Sequence, residues 1–88
     1  MKIEFDLKKN LANIEQRGIC FSTVVNFDFE NALEVIQDVN GEIRYFALGT
    51  IHKRLYALVY TLRGDCVLRV ISLRKANKRE VILYEKAF

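Results

Sequence analysis

The chain has 88 residues and a net charge of +3, with 51% apolar and 11% aromatic side chains. This length predicts one domain over residues 1–88 with a thin core, and the absence of long polar tracts excludes a disordered chain. No apolar run approaches the roughly 20 residues of a membrane helix, and charges interrupt the N-terminus where a signal peptide is apolar. We therefore expect a cytoplasmic protein.

The N-terminal third predicts a short strand and two helices. Ile3 to Phe5 forms the strand, Asp6 caps the first helix and Gly18 ends it as a left-handed C-terminal residue. One helix face is apolar at Leu7, Leu11 and Ile14, and the other carries Lys9, Asn13 and Arg17. A second short helix is expected from Phe21 to Phe27, with Phe21, Val24 and Val25 directed inward.

After Asn31 the apolar pattern changes from helical to strand spacing. Strands are predicted over residues 32–38, 43–51, 55–62 and 66–74, with turns at residues 52–54 and 63–65. Asn40-Gly41 is a strong signal for a two-residue hairpin turn. The order of elements therefore predicts a four-stranded antiparallel meander, to which the first strand could add at an edge.

The C-terminus predicts a capped helix. Asn77-Lys78-Arg79-Glu80 is an Asn version of the capping box, and Val81, Tyr84 and Phe88 follow as an apolar stripe. The fold class is thus α+β, with N-terminal helices packed on an antiparallel sheet and a C-terminal helix.

Charge is distributed unevenly along the chain. Residues 1–42 carry a net charge of −4, whereas residues 43–88 carry +7. A basic half of this kind suits a phosphate-rich ligand, although an interleaved, solvated surface explains it equally well.

No common catalytic or metal motif is present. The sequence lacks a glycine-rich phosphate loop, a zinc-ligand spacing and a nucleophile elbow. His52 is the only histidine and lies in a predicted turn, so we interpret it as a surface residue, with contact to a ligand as the alternative. Cys20 and Cys66 have no paired-ligand spacing and are expected to be reduced thiols in or near the core.

The arginines of the basic half are the main candidates for chemistry. Arg69 and Arg74 flank an apolar strand segment, where a guanidinium needs a ligand or an internal carboxylate such as Glu34. Their positions differ in parity, so a regular strand would direct them to opposite faces. Only a bulge or the end of the strand would bring both to one site, and we favour Arg74 because the strand ends there.

These residues carry a resemblance to a known family. The run from Leu68 to Ala76, followed by Arg79-Glu80 and Tyr84, is similar to the C-terminal signature of the BrnT toxins. The N-terminal and central motifs of that family are matched in order by Phe5-Asp6, Lys9, Asn13, Gly18-Ile19-Cys20-Phe21, Arg44, Gly49, Tyr60-Thr61 and Arg63. The family pattern has Trp in place of Phe5 and Lys-His in place of Gln16-Arg17.

The resemblance implies a RelE-like fold and a metal-independent endoribonuclease of a type II toxin–antitoxin system. It also implies an RNA substrate, no cofactor, and a BrnA-like DNA-binding antitoxin as the partner in a heteromeric complex. The departures at Phe5 and Gln16-Arg17 leave a second hypothesis open. In it the chain is a catalytically silent module that completes a repressor complex with the antitoxin.

RNA supplies its own nucleophile, the 2′-OH, so a site can act mainly by positioning and cationic stabilisation. Our hypothesis is that Arg74 holds the scissile phosphate, with Arg63 and Arg69 in support. Flanking contacts are assigned to Lys9, Asn13, Arg17 and Arg79. Phe5 either stacks on a base or is a core aromatic, and Glu80 is a candidate base that fits a helix cap better.

Overall fold

The computed structural model describes all residues from Met1 to Phe88. The strands are β1 (Lys2–Phe5), β2 (Leu33–Val39), β3 (Glu42–Ile51), β4 (Arg54–Arg63) and β5 (Val67–Lys75). The helices are α1 (Leu7–Arg17), a 3-10 helix (Phe21–Asn26) and α2 (Lys78–Ala87). The α+β class is confirmed.

The strands form one five-stranded sheet in the order β1-β5-β4-β3-β2. The predicted antiparallel meander of four strands is confirmed within it, but the sheet as a whole is larger and mixed. β1 adds at the edge and pairs with β5 in parallel, from Lys2 with Val67 to Phe5 with Val70. The helical segment between β1 and β2 returns the chain to the opposite edge of the sheet.

Local signals set the ends of these elements. The Asp6 carboxylate accepts a hydrogen bond from the Lys9 backbone N–H at 3.0 Å, and Gly18 ends α1 with φ +68°. Asn40 and Gly41 both have positive φ, as a type I′ hairpin requires. Asn77 and Glu80 form the predicted capping box of α2. These predictions are confirmed.

The main core lies between the sheet and the N-terminal helical segment. Its buried side chains are Ile19, Phe21, Val24, Phe27, Ala47, Ile51, Leu58, Tyr60, Leu68, Val70 and Leu73. On the opposite face Leu48 and Ala57 are cross-strand partners and are also buried. α2 is attached to that side through Tyr84, whose hydroxyl donates to the Asn31 carbonyl at 2.8 Å.

The predicted packing of helix α1 is wrong, because its apolar stripe faces solvent. Leu7, Leu11 and Ile14 are exposed, whereas Asn10 and Asn13 are the buried residues of the helix. The physical reason is that β1 pairs with only the first part of β5 and leaves later edge carbonyls without strand partners. Amide side chains supply hydrogen bonds at such an edge, and leucine cannot.

Two smaller expectations about burial are wrong. Val25 is exposed, because the second helix is a 3-10 helix whose buried residues are Phe21 and Val24. A three-residue repeat puts these two on one side and turns Val25 away. Cys66 is exposed in the turn before β5, and Cys20 is only partly buried; both are free thiols.

Candidate nucleic-acid interface

Several basic residues meet at one end of the sheet. The C-terminus of β5 lies beside the N-terminus of β4, through the pairs Tyr56–Lys75 and Ala57–Arg74. The C-terminus of α1 closes the same end, where Arg17, Ile19, Arg74 and Lys75 line one depression. We call this surface the basic end, and its members are Arg17, His52, Lys53, Arg54, Arg74, Lys75, Lys78 and Arg79.

Most cations of the basic end have no carboxylate partner. The ion pairs of the chain join Arg44 to Glu42, Arg63 and Arg69 to Glu4, and Arg74 to Glu80. The remaining lysines and arginines of the basic end are therefore unpaired and exposed. Unpaired cations concentrated on one surface favour binding of a polyanion.

Arg74 is held in a fixed orientation at this end. Its two terminal nitrogens donate to the two carboxylate oxygens of Glu80 at 2.7 and 2.8 Å. Glu80 also accepts from the Asn77 backbone N–H at 2.9 Å, so the pair is built on the cap of α2. The Glu80 carboxylate raises the pKa of Arg74, and the guanidinium lowers the pKa of Glu80. Glu80 is consequently a poor general base and a good anchor for Arg74.

A β-bulge resolves the parity problem on β5. Val70 pairs with Tyr60 and Ser72 pairs with Val59, so Ile71 is an extra residue without a partner. The bulge shifts the alternation, and Leu68, Val70 and Leu73 all face the core. Arg69 and Arg74 therefore lie on one face of the sheet, the face away from the main core, despite their different parity.

The structure nevertheless separates the three arginines expected to act together. Arg69 donates to Glu4 at 3.0 Å, and the Arg63 Nε lies 3.7 Å from the same carboxylate oxygen. Five residues of strand place the Cα atoms of Arg69 and Arg74 roughly 15 Å apart. Each guanidinium is also held by a different carboxylate, that of Glu4 or that of Glu80. The internal partner of Arg69 is Glu4 rather than Glu34, whose carboxylate accepts from the Tyr60 hydroxyl.

The polar face of α1 carries two exposed basic side chains and one buried amide. Lys9 and Arg17 are exposed at the rim of a depression that also includes Asn13. The Asn13 amide donates to the Ile19 and Leu73 carbonyls, both at 3.0 Å, and is buried. Asn13 thus fastens α1 to β5, and this contact brings Arg17 to the same depression as Arg74.

Phe5 packs as a core aromatic. It is partly buried against the main core and meets Phe21 edge to face, with ring centroids 5.8 Å apart. The second of the two interpretations of Phe5 therefore describes its position. Arg79 is exposed in the first turn of α2, close to the basic end in sequence and without an ion-pair partner.

Sequence reasoning missed part of this surface. His52 and Lys53 form the tip of the β3–β4 hairpin, and both have positive φ. Lys75 pairs opposite Tyr56 and lines the same depression as Arg17. The antiparallel order already implied that the turn after β3 and the end of β5 share one end of the sheet, and this was the available signal.

No helix combines the length and apolar character needed to cross a lipid bilayer. No group of three or more His, Cys, Asp and Glu side chains is gathered closely enough to hold a metal ion.

The fold and the basic end define a small α+β protein with a surface suited to a polyanion. The sequence profile of a family described as "Ribonuclease toxin, BrnT, of type II toxin-antitoxin system" matches residues 5–80, so the chain belongs to the BrnT family. A comparison with curated proteins returned no match.

A solved structure supports this assignment. The chain is similar to the ribonuclease toxin BrnT of Brucella abortus, with 29% sequence identity and a TM-score of 0.67. The match covers 89% of this chain and 99% of the Brucella chain. The chain is thus a type II toxin–antitoxin family protein of the ribonuclease toxin class. The implied likeness to RelE stays a prediction.

Proposed function

We propose that this chain is a metal-independent endoribonuclease that inhibits translation and is held in check by a BrnA-like DNA-binding antitoxin. The observation that carries the proposal is the placement of Arg74 beside Arg17 and Lys75 at the basic end, in a member of a ribonuclease toxin family. The substrate is RNA, whose phosphates suit this surface.

The chemistry requires little from the protein beyond positioned cations. The RNA 2′-OH loses its proton to water and attacks the adjacent phosphorus, the 5′-oxygen of the next nucleotide leaves and takes up a proton from water, and a 2′,3′-cyclic phosphate forms. Negative charge grows on the phosphate oxygens in the transition state, and fixed guanidinium groups stabilise it. Arg74 is fixed by Glu80 and retains N–H groups that Glu80 does not occupy.

Arg17 and Lys75 line the same depression as Arg74 and would complete the proposed phosphate-binding site. Lys9 and Arg79 are exposed and would contact flanking phosphates. Arg63 and Arg69 lie farther along the sheet, where their charge is shared with Glu4. We assign them to binding of more distant nucleotides rather than to the reacting phosphate.

The test is cleavage of a defined single-stranded RNA by purified, antitoxin-free protein in the presence of EDTA. We expect products with 2′,3′-cyclic phosphate ends, and their loss in Arg74→Ala and Arg17→Ala. Products with 3′-hydroxyl ends, or cleavage that EDTA abolishes, would contradict the mechanism.

One observation favours the second candidate, a silent module in a repressor complex. Glu80 already neutralises Arg74, the cation on which cleavage would depend. A folded chain that binds its antitoxin but leaves RNA intact, as wild type and as Glu80→Gln, would support this candidate instead.

A further inference from the structure

The outer edge of the sheet at β2 differs from the basic end in its charge and in its exposed apolar side chains. β2 is an edge strand of seven residues, and only its first residue, Leu33, is partly covered. Val35, Ile36 and Val39 are exposed, as is Ile43 on the neighbouring strand. The outward N–H and C=O groups of such a strand are free to pair with another chain.

This edge lacks the usual protection against pairing. Natural edge strands are shielded by charged side chains, above all lysine, or by proline, a bulge or a very short length. The charged side chains of β2 are the acidic Glu34 and Asp38, which repel acidic or identical strands but not a basic one. β2 has no lysine or proline, and its register with β3 runs without interruption from Leu33–Leu48 to Val39–Glu42. A regular edge strand of roughly 23 Å with exposed apolar side chains is the feature that strand addition uses.

The charge of the edge restricts what can bind there. Residues 18–43 contain no lysine or arginine, and their acidic residues are Asp28, Glu30, Glu34, Asp38 and Glu42. RNA is excluded by charge repulsion. A second copy is disfavoured as well, because two β2 strands paired antiparallel about Ile36 would bring Glu34 of each copy opposite Asp38 of the other.

The pattern on β2 also specifies the side chains of a partner. Glu34 and Asp38 lie on one face of the strand with Ile36 between them, whereas Val35 and Val39 lie on the other face. A complementary strand would therefore alternate basic residues on the first face with apolar residues on the second. The type II toxin–antitoxin family implies an antitoxin as the partner, and the acidic residues of β2 favour one whose docking segment is basic.

We propose that β2 is the docking edge for the antitoxin, which adds an extended segment of alternating basic and apolar residues to the sheet. This inference rests on the proposed toxin–antitoxin function. It places the antitoxin on the acidic edge of the sheet, away from the basic end that would hold RNA.

The test compares two matched variants. Ile36 is 66% exposed on β2, and Leu11 is 64% exposed on α1, whose exposed apolar stripe serves as the comparison surface. Neither side chain is part of the core, so Ile36→Lys and Leu11→Lys should both fold, which thermal melting will check. The probe is the small protein encoded beside this chain, purified separately, and affinity is measured by calorimetry at two salt concentrations.

We expect Ile36→Lys to weaken binding about tenfold or more and Leu11→Lys to leave it unchanged. Binding should weaken with salt, and hydrogen exchange should show new protection of the amides of residues 33–39 in the complex. Unchanged affinity of Ile36→Lys, unprotected β2 amides, or no binding by the wild-type chain would each overturn the proposal. A wild-type dimer in light scattering that Ile36→Lys dissociates would assign the edge to a second copy instead.

RNA cleavage is measured separately on the free chain. Retained cleavage in Ile36→Lys would show that the docking edge and the basic end are independent. If the wild-type chain binds the probe through β2 but cleaves no RNA, the ribonuclease mechanism fails and the docking proposal stands.

Discussion

The Arg74 guanidinium and the Glu80 carboxylate form a two-pronged ion pair, at 2.7 and 2.8 Å, that joins the end of β5 to the first turn of α2. The same carboxylate completes the capping box with Asn77. One acidic residue therefore helps to cap a helix and orients the main candidate for phosphate binding.

Arg74→Ala is expected to lower RNA cleavage by roughly 10²–10³, the typical cost of removing one well-placed donor from an oxyanion-type site. Its effect on stability should be about 1 kcal/mol, more than for a free surface arginine because Glu80 loses its partner, yet limited by partial exposure. Cleavage and thermal melting are measured on one preparation. Full cleavage by the folded variant would remove Arg74 from the site.

The pH dependence of stability should report the Arg74–Glu80 pair. The pKa of Glu80 is lowered from 4.5, so its stabilising contribution is present above that pH and is lost as pH falls through the lower folded-state pKa. Wild type should melt higher than Glu80→Gln at pH 7, and the difference should vanish in strong acid. A difference that stays constant as the pH is lowered from 7 into strong acid would show that the pair is not its source.

The sequence predicted the elements well, because their signals are local. The Asn40-Gly41 turn, the Asp6 cap and the capping box each depend on residues within a few positions of one another. The β-bulge at Ile71 is different, because it exists only in the pairing of β5 with β4. The parity of Arg69 and Arg74 could not be resolved without that pairing.

The packing of α1 was mispredicted for a related reason. Apolar periodicity normally marks the buried face of a helix, but α1 lies against the edge of β5 rather than on an apolar surface. Asn13 donates to the Leu73 carbonyl, a contact across sixty residues of sequence. The separation of Arg74 from Arg69 also follows from distance along the sheet, which the resemblance alone did not provide.

Gly49→Ala should destabilise the chain by roughly 1–3 kcal/mol, the usual cost of overpacking. A Cβ at Gly49 would lie 2.5 and 2.8 Å from two ring atoms of buried Phe27. Chemical denaturation measures the change, and Phe27→Leu in the same chain removes the clashing atoms. The double variant should therefore lose less than the sum of the single variants, and strict additivity would contradict this explanation.

Substitution of Asn13 tests whether RNA cleavage depends on the position of Arg17, because Asn13 itself has no role in the proposed reaction. Its amide donates two buried hydrogen bonds, to the Ile19 and Leu73 carbonyls, and these contacts hold the C-terminal half of α1 against β5. Asn13→Ala leaves both carbonyls without a donor, so we expect a loss of about 2 kcal/mol in stability. Asn13→Asp should cost more at neutral pH, because a carboxylate cannot donate and would face two carbonyl oxygens.

Loss of the Asn13 anchor should also lower RNA cleavage, although the Arg17 side chain is intact. Arg17 lies one helical turn further on and reaches the depression that holds Arg74, so its position depends on that anchor. Denaturation and cleavage are measured at a temperature where each variant is fully folded. If Asn13→Ala is destabilised but cleaves RNA at the wild-type rate, Arg17 does not need this anchor, and its assignment to the reacting phosphate would be withdrawn.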